Sequence, residues 1–84
     1  MEPGDRARQI IETIWYWLPA RWTNGGSWFE VCQVDITGDE ESGGADVMVS
    51  KNDAAMEAVP FTNAEIYGDS VLSPEAARAR IEAM

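Results

Sequence analysis

The chain has 84 residues, fifteen acids against six bases, a formal net charge of −9, one cysteine and no histidine. That length fits one domain, 1–84, and a single cysteine excludes an internal disulfide and any Cys–Cys metal pair. The missing histidine removes the commonest general base and metal ligand, while the negative charge disfavours binding to nucleic acid or anionic membranes.

Residues 4–18 read as a helix. Ala7, Ile10, Ile11, Ile14 and Leu18 recur on one face, Asp5 suits the first turn, and Pro19 ends the run. Trp15 and Trp17 border that face and Tyr16 lies almost opposite. The two tryptophans either seal the rim of the core, or one of them joins Tyr16 in an exposed anchor for a partner. The acidic N-terminus has no signal-peptide character, and the longest apolar run, Ile14 to Leu18, is too short for a bilayer. A cytoplasmic protein is expected.

Arg21–Ser27 reads as a connection with a turn at Asn24-Gly25-Gly26. It lacks the pattern of a phosphate loop. Residues 28–36 read as a strand with Trp28, Cys32, Val34 and Ile36 on one side, which makes Cys32 a small buried hydrophobe. Thr37 to Ala45 is a polar loop carrying Asp39, Glu40 and Glu41. A second strand follows over Asp46–Ser50. Pairing Ile36 with Val47 and Val34 with Val49 gives an antiparallel hairpin whose apolar faces agree. The loop lacks the ligand order of an EF-hand, so a solvated loop is expected and no metal or other cofactor is assigned.

Asn52 to Glu57 reads either as a capped helical turn or as the start of a strand. A third, irregular strand is placed near 56–61, where Pro60 restricts it to an edge. Ala64 to Tyr67 is a short apolar piece closed by Gly68-Asp69. Ser73-Pro74-Glu75 starts a helix that runs to about Ala83, with Ala77, Ile81 and Met84 inward. The expected fold is therefore α+β: an N-terminal helix, a small antiparallel sheet of about three strands, and a C-terminal helix.

The charge is uneven. Glu30 to Asp69 holds ten acids and Lys51 alone among bases, so this stretch accounts for the whole net charge while the flanks cancel. With no histidine and no activated serine or cysteine, no enzyme is expected. Carboxylates on one side of a strand repeat every ~6.5–6.8 Å, close to the phosphate spacing of a nucleic-acid backbone, so an acidic sheet face can occupy a groove built for DNA. The candidate contact residues are Asp35, Asp39, Glu40, Glu41, Asp46, Asp53 and Glu57, with Trp22 and Tyr67 as apolar anchors.

In size, acidity, lack of catalytic residues and helix–sheet–helix layout, the chain resembles the small acidic phage-encoded anti-CRISPR proteins. The resemblance implies a monomeric, non-catalytic inhibitor in the cytoplasm of a bacterial host. Its partner would be the basic nucleic-acid-binding surface of a CRISPR effector complex, and its effect a block on recruitment of target DNA. The alternative is a structural or adaptor protein that binds its partner through an apolar region around Trp15, Trp17 and Trp22.

Overall fold

The computed structural model describes residues 3–38, 43–67 and 72–84, with the side chains of 3–6 and 67 outside the description. The order is α1 (Pro3–Trp17), β1 (Arg21–Asn24), β2 (Ser27–Thr37), β3 (Gly44–Lys51), β4 (Glu57–Thr62), α2 (Asn63–Tyr67) and α3 (Pro74–Glu82). The four strands form one antiparallel sheet whose spatial order equals the chain order, β1-β2-β3-β4. The fold is α+β, with four strands rather than three.

The core lies between one face of this sheet and the helices. Ile10, Ile14, Trp17 and Leu18 meet Phe29, Val31, Val47, Val49, Val59 and Phe61, with Ala77 and Ile81 closing it from α3. Of the two tryptophans bordering α1, Trp17 is buried and 6.0 Å from Phe61 between ring centroids, whereas Trp15 stays 43% exposed. The helix starts are chemically ordinary. The Ser73 hydroxyl accepts from the Ala76 N–H at 3.1 Å, and Pro74 occupies the first turn.

Several expectations are corrected. Arg21–Asn24 is a strand, not a connection. Gly25 and Gly26, with φ of 62° and 89°, make the two-residue turn that joins it to β2. Residues 63–67 form a helical turn. The Glu65 N–H donates to the Thr62 hydroxyl at 3.2 Å, and the Glu65 carboxylate accepts from the Thr62 N–H at 2.9 Å, a reciprocal cap. Asn52 and Asp53 are neither helix nor strand. Both have positive φ, and the turn is closed by Ala54 N–H donating to the Lys51 carbonyl at 3.0 Å.

The β2–β3 register also differs from the expected one: Val34 pairs with Val47 and Ile36 with Ala45. Apolar partners still meet, because a shift of two residues preserves the face. Strand β2 does not keep one alternation along its length. Phe29 and Val31 are inward, then a bulge between Val31 and Gln33 resets the phase so that Val34 and Ile36 follow them. Cys32, at that bulge, is exposed rather than buried. A thiol reagent should therefore label native Cys32 at nearly the rate seen in denaturant; labelling only after unfolding would contradict this placement.

Candidate functional site

The helices leave one face of the sheet uncovered. Cross-strand partners share a face, so the pairs Arg21/Glu30, Asp35/Asp46 and Asp46/Pro60 all lie on the outer side, away from Val47 and Phe61. Asp35 and Asp46 are direct partners in the register, and both are half-buried by their neighbours. The Gln33 side-chain amide donates to the Asp35 carboxylate. Like charges set opposite one another weaken a sheet, so this pair is costly in isolation and suits an incoming cation.

Among the described residues, four bases are engaged elsewhere. Arg21 pairs with Glu30 at 3.1 Å and lies 4.8 Å from the centre of the Trp28 ring. Lys51 Nζ donates to the Met84 carbonyl at 3.2 Å, and Arg78 Nε donates to the Trp17 carbonyl at 3.3 Å. Arg80 Nη1 donates to the Glu65 carboxylate at 2.9 Å and to the Pro60 carbonyl at 3.0 Å. That contact holds Glu65 far below the usual carboxylate range, at about 2, chiefly through the Arg80 hydrogen bond and despite partial burial. Among the described residues no base pairs with Asp35 or Asp46.

The expected acidic surface is thus divided. Asp35 and Asp46 come together at the end of the sheet that leads into the 38–43 connection. Glu57 pairs with Val49 and so belongs to the helix-facing side, at the other end of β3, and Asp53 is exposed in the turn beyond it. These two do not join the first pair. The regular repeat along one strand is absent from the described residues, since the bulge interrupts it and the adjacent carboxylates lie across strands. Asp39, Glu40 and Glu41 lie outside the described residues.

The two expected anchors differ from free surface aromatics. Trp22 stacks on Phe29 with centroids 5.3 Å apart, and its ring N–H donates to Glu82 at 2.9 Å, so the residue ties β1 to α3. Tyr67 closes α2, and its side chain lies outside the described residues. The alternative apolar region around Trp15, Trp17 and Trp22 is not one exposed surface, since Trp17 is buried and Trp22 is held by Phe29 and Glu82. Trp15, 43% exposed, instead adjoins Tyr16, 79% exposed, on α1.

A shallow cavity of about 330 Å³ lies near the Asn52 turn, lined by Lys51, Asn52, Ala54, Ala55, Glu57 and Met84. It sits at the far end of β3 from Asp46. Among the described residues no three acids or sulfur ligands converge as a metal site, and no helix is long and apolar enough to cross a membrane. No protein-family model, curated protein or solved structure matches the chain.

Proposed function

We propose that this protein is a small non-catalytic inhibitor of the anti-CRISPR kind. It acts in the cytoplasm of a bacterial host by binding, one to one, a basic nucleic-acid-binding surface of a CRISPR effector complex, and so keeps target DNA away. The observation that supports this reading most is the Asp35–Asp46 pair on the uncovered sheet face, with the bonded bases Arg21, Lys51, Arg78 and Arg80 engaged elsewhere. Such a surface attracts an electropositive partner at long range and can raise association rates by ~10–10³. Partner lysines and arginines would relieve the repulsion between the two carboxylates.

The test is binding to an effector complex at low and moderate ionic strength. Affinity should fall steeply with salt, and Asp35→Asn combined with Asp46→Asn should abolish binding with no loss of melting temperature, because the double change removes a like-charge contact. Binding that ignores both salt and the double change would defeat the proposal.

The exposure of Tyr16 and Trp15 supports a second reading, an adaptor docking through α1. In that case Tyr16→Ala removes binding and the double charge change does not.

A further inference from the structure

The two margins of the sheet are not equivalent. On β4, the backbone groups that face outward belong to Ala58, Pro60 and Thr62, since Asp46 faces β2 and its partner Pro60 must face away. Pro60 has no N–H, its carbonyl accepts from Arg80, and the Thr62 N–H donates to Glu65. Around Pro60 and Thr62 that margin is closed by side chains, as sheet edges commonly are.

Strand β2 is longer than its neighbour. β1 covers only residues 27–30, and the Val31 N–H donating to the Ala20 carbonyl at 3.0 Å is the last rung. Beyond it the direction of each backbone group follows from the ladder. The Trp28 carbonyl accepts from the Asn52 N–H at 2.8 Å, so Glu30 and its partner Ser50 face each other. By period two, Met48, Asp46 and Gly44 also face β2, and their partners Gln33, Asp35 and Thr37 face β3. Val34 and Ile36 must therefore aim their N–H and C=O groups away from β3, past the end of β1. Among the described residues nothing bonds to them there. Ile36 is 40% exposed.

We infer that this open margin of β2, residues 34–36, takes an extended segment of a partner as a fifth strand. The inference rests on the proposed function for the sign of the partner's charge and adds the partner's form. Charge selects the occupant. A residue laid beside Asp35 falls on the outer face next to two carboxylates and should be lysine or arginine, while residues beside Val34 and Ile36 fall on the helix-facing side and should be apolar. The matching sequence alternates apolar, basic, apolar. A second copy of this chain would instead bring further carboxylates, on a body of net charge −9, against Asp35.

The test is amide exchange on the whole protein, with and without a seven-residue peptide alternating lysine and valine, and with a peptide carrying glutamate for lysine as control. In the free protein the amides of Val34 and Ile36 should exchange fast, and those of Asp35 and Thr37 slowly. The lysine peptide should slow Val34 and Ile36 by about tenfold or more, and the glutamate peptide should not. Asp35→Lys should weaken binding of the lysine peptide about fivefold. Ile36→Pro should remove the peptide's effect at Val34 while Asp35 and Asp46 stay protected, since Pro60 shows that an outward-facing position tolerates proline. Slow exchange of Val34 and Ile36 in the free monomer would overturn the inference, as would protection that grows with the protein's own concentration. Salt-sensitive binding of the lysine peptide that leaves both amides fast would overturn it too, while sparing the proposed function. Conversely, protection by the peptide without binding to an effector complex would defeat that function alone.

Discussion

Gly44→Ala should lower the melting temperature by about 12–24 °C, the equivalent of roughly 3 kcal/mol in a domain of this size. A Cβ at residue 44 would lie 2.1 Å from the Phe61 carbonyl oxygen and 3.0 Å from the Thr62 Cα, both of them backbone. A flexible side chain could swing aside; a paired strand cannot. The β3–β4 ladder must separate at its Gly44/Thr62 rung, next to the buried Ala45/Phe61 pair. Gly25→Ala is the control. Nothing lies within 4 Å of its Cβ, and only the left-handed φ of 62° is unfavourable, costing about 1 kcal/mol. Thermal unfolding of the two variants separates steric conflict from backbone conformation. Equal losses would contradict the close approach at Gly44.

The second large effect concerns Glu65 and Arg80. Folding lowers the Glu65 carboxyl from 4.5 to about 2, chiefly through the Arg80 hydrogen bond. A depressed acid contributes stability that is present above its unfolded value and disappears as pH falls through the folded one. The contribution should therefore be complete above about 4.5 and be lost between there and 2. Allowing for the partial exposure of both side chains, it amounts to about 2 kcal/mol. Glu65→Gln should be less stable than the parent by that amount at pH 7, and the gap should close by pH 2, as measured by denaturant unfolding across the range. A gap independent of pH would mean that shape, not charge, carries the contact. Arg80→Ala should cost a similar amount. It also removes the cation 5.0 Å from the Phe61 ring centre and frees the Pro60 carbonyl on the β4 margin.

The sequence was informative where local chemistry decides structure. Ser73-Pro74-Glu75 starts α3, the 3.6-residue pattern gives α1, and Asn24-Gly25-Gly26 marks a turn, because each signal acts within a few residues. Strand β1 escaped because Arg-Trp-Thr-Asn is too short to show alternation. Helical turn α2 was announced by Thr62-Asn63-Ala64-Glu65, a capping-box pattern hidden by the apolar residues after it. The bulge was visible as two apolar rows out of phase, Phe29 with Val31 and Val34 with Ile36. A single period of two cannot hold both rows, and choosing one of them buried Cys32 by mistake. The candidate site was legible only as a sum of charge. Its division between base-paired acids such as Glu30 and Glu65 and the Asp35–Asp46 pair, which no base bonds among the described residues, depends on contacts such as Arg80–Glu65, fifteen residues apart, that composition does not contain.

Because spatial order follows chain order, each strand docks on the one made just before it, and the sheet needs no long crossover. Its hairpins can zip within microseconds, through contacts close in sequence. Uniting the helices is another matter, since Arg78 must find a carbonyl 61 positions away. The barrier to folding should accordingly lie in closing the helical layer over a meander that is already assembled.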